Sequence, residues 1–106
     1  MTAEQSSILL HQLGGLNRLQ AMIGAHTFLR HETECALSFK FKAGYRFNYV
    51  KIWLNDLDLY DLEFGKIRGM SYNVVHTARN VYAEDLVTLF ESVTGLTLSL
   101  KKEDIV

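Results

Sequence analysis

Residues 36–64 constrain the fold most, because three stretches within them alternate apolar and polar side chains with a period of two, the mark of a half-buried β-strand. In "ALSFKFK", Leu37, Phe39 and Phe41 point one way and Ser38, Lys40 and Lys42 the other. In "YVKIWLN", Val50, Ile52 and Leu54 share one face, and Tyr49, Lys51 and Trp53 share the opposite one. "LYDLEF" sets Tyr60, Leu62 and Phe64 against Leu59, Asp61 and Glu63. The last two strands make a hairpin whose register follows from burial. An odd loop such as Asn55-Asp56-Leu57 aligns the apolar sets, whereas an even loop would put Ile52 beside Asp61 and Glu63. The odd loop also predicts Lys51 opposite Asp61, an opposite-charge cross-strand pair.

The flanks complete the pattern. Leu9, Leu13, Leu16, Leu19 and Ile23 fall three or four apart over residues 2–23, which predicts an amphipathic helix. Gly14-Gly15 predicts either a break into two segments or a kink, with Gly24 as the end. "AHTFLR" reads as a weaker strand, "AGYRFN" as a connection, "RGMS" as a turn and "YNVVHTA" as a further strand. Gly65 suggests a β-bulge that turns Ile67 inward. Asn80 is the expected N-cap of a helix over 81–93, with Tyr82, Leu86, Leu89, Phe90 and Val93 as its buried stripe and Gly95 as its stop. "LTLSL" alternates as a short final strand. The expected fold is α+β: one domain over 1–106, an antiparallel sheet of four to six strands, and an N-terminal and a C-terminal helix packed on one face.

Composition excludes several function classes. A net charge of −1 gives no overall field to recruit nucleic acid or membrane. The single cysteine, Cys35, precludes an internal disulfide and suits a reducing compartment. No apolar run approaches the roughly 20 residues that span a bilayer, and "MTAEQSSILLHQLGG" lacks the basic n-region of a signal peptide. A reducing intracellular compartment is the expected location.

Asp56, Asp58, Asp61 and Glu63 are the densest chemistry in the chain. Counted from Asp56 as a calcium loop, Tyr60 takes a ligand position, Asp61 the obligatory glycine and Ile67 the final glutamate, so the pattern fails. Asp61 and Glu63 share a strand face and read as a solvated, charge-paired surface, not as a catalytic acid–base pair. His26, His31 and Cys35, with His11 and His76 further off, do not make a zinc pattern: one cysteine is available, and the two close histidines diverge by strand parity. "LGGLNR" and "GLTLSL" match no phosphate-binding fingerprint. No catalytic, metal or cofactor site is expected.

Two surfaces remain. Tyr49, Lys51 and Trp53 share a face with Asp61 and Glu63, and aromatic residues beside charges are the residue types interfaces favour. These five are the candidate protein-binding residues. Lys40, Lys42, Arg46 and Lys51 form the alternative, a basic set interleaved with aromatics of the kind that binds single-stranded nucleic acid. Parity turns Phe39 and Phe41 away from Lys40 and Lys42, into the core.

Ala21, Met22, Gly24, Ala25 and Phe28 make one motif; Leu54 and Asn55 a second; Tyr60, Asp61, Glu63 and Phe64 a third; Val81, Tyr82 and Ala83 a fourth; Thr94, Gly95 and Leu96 a fifth. Over residues 13–100 the chain resembles a group of small uncharacterised bacteriophage and prophage proteins, departing from it at Ile23 and Leu59. The resemblance implies a phage origin and carries over no catalytic residue. The leading expectation is a non-catalytic, phage-encoded module that binds a larger host or phage protein complex. Inhibition of a defence system such as CRISPR–Cas is one form of that role. A single-stranded nucleic-acid accessory protein is the alternative. Homodimerisation through an unpaired sheet edge is a further expectation.

Overall fold

The computed structural model describes residues 1–42 and 46–98. Two helices, α1 (Ala3–Gln12) and α2 (Leu16–Ile23), precede five strands: β1 (His26–His31), β2 (Ala36–Lys40), β3 (Tyr49–Leu54), β4 (Tyr60–Arg68) and β5 (Ser71–Val81). A 3₁₀ turn, Ala83–Asp85, leads into α3 (Leu86–Thr94). Every neighbouring pair of strands is antiparallel, and the order across the sheet is the order along the chain. The α+β architecture read from the sequence is therefore the observed one.

Local chemistry sets the helix ends. Thr2 caps α1 in a reciprocal box: its hydroxyl accepts the Gln5 N–H at 3.1 Å, and the Gln5 side chain accepts the Thr2 N–H at 2.9 Å. Gly14-Gly15 divides the helical stretch in two, as the glycine cost predicts. α2 ends where Gly24 takes φ +64°, a left-handed conformation that glycine adopts without a Cβ penalty.

All three helices lie on one face of the sheet. Leu9, Leu13, Leu19, Ile23, Leu86 and Phe90 meet Leu37, Phe39, Val50, Ile52, Leu62 and Phe64 in one buried cluster. Phe90 is its hub, with ring centroids 5.4 Å from Phe41, 5.7 Å from Phe64 and 6.5 Å from Phe39. The Tyr60 hydroxyl crosses the layers to donate to Gln12 Oε1 at 2.7 Å.

The β3–β4 hairpin has the predicted facing, with Val50 opposite Phe64, Ile52 opposite Leu62 and Leu54 opposite Tyr60. Its loop is odd, but it spans residues 55–59, longer than the 55–57 example. That lengthening moves Lys51 opposite Glu63 and sets Asp61 opposite Trp53. Asn55 holds the longer loop: its Oδ1 accepts the N–H groups of Leu57 (2.9 Å) and Leu59 (3.2 Å).

Four further expectations are corrected. The irregularity near Gly65 places the extra residue, Val75, in β5, so β4 runs on without turning Ile67 inward and Ile67 pairs with Tyr72. Asn80 caps no helix; it lies within β5, one residue before the strand ends, in a left-handed conformation (φ +55°), and α3 starts only after the 3₁₀ turn. Tyr82 is exposed and does not belong to the α3 stripe, whereas Leu86 and Phe90 are fully buried. Residues 96–98 form no strand, and Ser99 and Leu100 of the expected final strand lie outside the described residues, as do Ala43, Gly44 and Tyr45 of the connection before β3.

Candidate protein-binding face

The face of the sheet turned away from the helices is built by parity. Tyr49, Lys51 and Trp53 on β3 stand opposite Gly65, Glu63 and Asp61 on β4, so the five candidate binding residues lie together on one face. Each is half-buried by its neighbours. β5 adds Tyr72, whose ring meets Tyr49 edge-on at 5.1 Å between centroids and whose hydroxyl donates to Glu63 Oε1 at 2.7 Å. Burial, then the bond to the Glu63 carboxylate, holds the Tyr72 phenol well above its usual pKa.

The expected Lys51–Asp61 pair is replaced by another. The Lys51 ammonium bonds Glu34, from the β1–β2 turn, at 2.5 Å and sits 4.9 Å from the centroid of the Trp53 ring. The bond to Lys51 holds the Glu34 carboxyl below its usual range. Asp61 instead has a structural role: its Oδ1 accepts from Asn55 Nδ2 at 3.1 Å and from the Asn80 N–H at 2.9 Å, tying the β3–β4 loop to the end of β5. Asn55 Nδ2 also reaches Asn80 Oδ1 at 2.9 Å.

Beside this network a shallow groove of about 400 Å³ is lined by Trp53, Asp56, Asp61, Glu63, Thr77 and Arg79, among others. Tyr72 and Arg79 are the residues that strand parity alone missed. The signal for Tyr72 was the "RGMS" turn: with Gly69 and Met70 as its two central residues, Ile67 pairs with Tyr72, whereas Thr77 reaches its place opposite Glu63 only through the extra residue at Val75.

The acidic residues do not converge. Asp56 and Asp58 lie exposed in the loop, Asp58 with φ +59°, while Asp61 and Glu63 lie on the sheet. Among the described residues no group of three or more His, Cys, Asp or Glu side chains could hold a metal ion. The two histidines do not diverge by parity, because a bulge between His26 and Leu29 sets both on the outer face, but they stand at opposite ends of β1. His26 Nδ1 lies 2.9 Å from Thr27 Oγ1, and His31 Nε2 lies 2.8 Å from the buried Ser38 Oγ. Burial, then the nearby Lys51 charge, holds the His31 pKa below its usual value.

The basic set separates. Phe39 and Phe41 are buried, as parity predicted. Lys51 is held by Glu34, and the Arg46 guanidinium lies 5.7 Å from the Phe47 ring centroid. Lys40 and Lys42 alone of the four line a common groove, at the far end of the sheet from Trp53. No helix among the described residues is long and apolar enough to cross a membrane. Neither a family model, nor a curated protein, nor a solved structure matches the chain.

Proposed function

We propose that this chain is a non-catalytic binding module that docks on a larger protein complex through the helix-free face of its sheet. The observation that carries this reading is the setting of Trp53. A half-buried indole forms one wall of an open groove, with Lys51 over its ring and Asp61 and Glu63 alongside. An aromatic anchor with a charged surround is the composition of an interface hot spot. The Tyr49–Tyr72 pair extends the aromatic surface across three strands.

The resemblance to phage proteins supplies the partner class: a host or phage complex in the bacterial cytoplasm, with a CRISPR–Cas effector among the candidates. The nucleic-acid alternative is less well supported, because Lys51 is already paired and the carboxylates of Asp61 and Glu63 interrupt any basic track across this face. Self-association is a second form of partnering, since among the described residues β5 pairs only with β4.

The test is capture of partners from host lysate by the wild-type chain and by Trp53→Ala, with binding then measured on the purified partner. Loss of a hot-spot tryptophan weakens binding by about 2 kcal/mol or more, roughly thirtyfold. Equal recovery and equal affinity for the two proteins would remove this face from the interface. Sizing chromatography at several concentrations decides self-association.

A further inference from the structure

We propose that the groove at the opposite end of the sheet is a binding site for the phosphate groups of a small phosphorylated ligand. This goes beyond the docking face and does not depend on it. The groove, about 440 Å³, is lined by His26, Lys40, Lys42, Asn48, Lys66 and Gly69, together with Phe41 and Ile67. Among the described residues its lining holds three lysines and a histidine and not one acidic residue; Lys66 has a partner of its own, so the charge available to a ligand is that of Lys40 and Lys42. This is a local excess of positive charge on a chain whose net charge is −1. Lys40 and Lys42 make no ion pair among the described residues.

The floor is fixed by hydrogen bonds. The Asn48 side chain acts as an extra rung of the β3–β4 ladder: Nδ2 donates to the Ile67 carbonyl at 2.9 Å and Oδ1 accepts the Ile67 N–H at 2.8 Å. The Phe41 N–H bonds the Asn48 carbonyl at 2.9 Å, and the Lys42 N–H bonds the Ile23 carbonyl at 3.0 Å. The stem of Lys42 crosses Gly24, where a Cβ would sit only 3.1 Å from Lys42 Cβ, so Gly24 helps to set the position of this lysine. Lysines held by an ordered backbone around a cavity of this size suit a phosphate or diphosphate group.

The surroundings favour a small ligand over a nucleic-acid strand. Phe41 is buried and offers no stacking surface, and the outer face beyond Tyr49 carries the carboxylates of Glu63 and Asp61. A polyanion leaving the groove across the sheet would meet like charge.

The probe is pyrophosphate, titrated at low ionic strength into isotope-labelled protein and followed by amide NMR. Saturable shifts are expected at Lys40, Phe41, Lys42, Asn48 and the 67–69 segment. The variant Lys40→Gln/Lys42→Gln is expected to weaken binding at least tenfold, while Arg18→Gln on α2 leaves it unchanged. The wild-type shift map stands as evidence even if the double variant fails to fold. A parallel titration with a ten-nucleotide oligothymidylate separates the phosphate sources. Absence of saturable shifts with pyrophosphate, equal weakening by Arg18→Gln, or tighter binding of the oligonucleotide with shifts spreading to Arg46 and Lys51 would each overturn the proposal.

Discussion

Lys51 stands directly opposite Glu63 in the β3–β4 ladder, yet its ammonium bonds Glu34 in the β1–β2 turn. Glu63 is meanwhile occupied by the hydroxyl of Tyr72. Two side chains from outside the hairpin have thus divided a pair that strand geometry alone would have joined. The first pH prediction below derives from this exchange, and the second draws on it in part through the Tyr72–Glu63 bond.

His31 titrates below its usual value because it is partly buried and close to Lys51, while Glu34 acts in the opposite sense. Removing the positive charge with Lys51→Met is expected to raise its midpoint, and Glu34→Gln to lower it. NMR titration of the ring protons reads both shifts. A depressed folded pKa means that the unfolded chain binds the proton more tightly. The contribution of His31 to stability is therefore complete above about pH 6.5 and is lost as pH falls through the folded value.

At the alkaline end, Tyr72 and Tyr60 both have raised phenol pKa values, each mainly through burial. An acid whose folded pKa is raised stabilises the fold fully below its unfolded pKa, about 10, and loses that contribution as pH rises through the folded value. Urea midpoints are therefore expected to fall above about pH 10, and the fall should be smaller in Tyr72→Phe. Ultraviolet titration of the native protein should show one fewer late-ionising phenol in that variant.

Gly65→Ala is expected to destabilise the protein by about 1–3 kcal/mol. The new Cβ would collide with the edge of the Tyr72 ring and lie 2.7 Å from the Asn73 carbonyl oxygen. Adding Tyr72→Ala relieves the first clash but not the second, so the double variant should fail to recover the whole loss. Urea unfolding of the two single variants and the pair measures this.

Asn55→Ala removes four side-chain hydrogen bonds, two within the loop and two that tie it to Asp61 and Asn80. At about 1 kcal/mol or less for each partly exposed bond, the expected loss is roughly 2–3 kcal/mol. Asp61→Asn retains an oxygen that can accept the Asn80 N–H, so it should cost less. Hydrogen exchange at Leu57, Leu59 and Asn80 localises the effect: all three amides should open together in Asn55→Ala.

The parts of this fold legible in the sequence are those set by strand parity and glycine. Alternation at Val50, Ile52 and Leu54 fixed which way β3 faces, and with it the common face of Tyr49, Lys51 and Trp53. Gly14-Gly15 marked the helix break. What alternation could not show was the length of the β3–β4 loop. Residues 55–57 and 55–59 satisfy the same burial, and the choice rests on Asn55 bonding amides two and four residues ahead. Gly65 was misread for a related reason: it is small because the Tyr72 ring lies over it, a fact of the neighbouring strand. Asn80 has the chemistry of an N-cap, but its side chain is taken by Asn55 and its N–H by Asp61, so the chain continues as strand to Val81. The same dependence on β5 hid Tyr72 and Arg79 from the candidate site.

Because each strand neighbours only the strands before and after it in the chain, the sheet can assemble by successive hairpin closures, with no strand inserted between two already paired. Loop closures between sequence neighbours are short, and proteins dominated by such contacts fold faster than those whose strands come from distant parts of the chain. Among the described elements, the long-range step is the meeting of α1 and α2 with α3 over Phe39 and Phe64. That docking, and not strand pairing, is where a slow phase in refolding should arise.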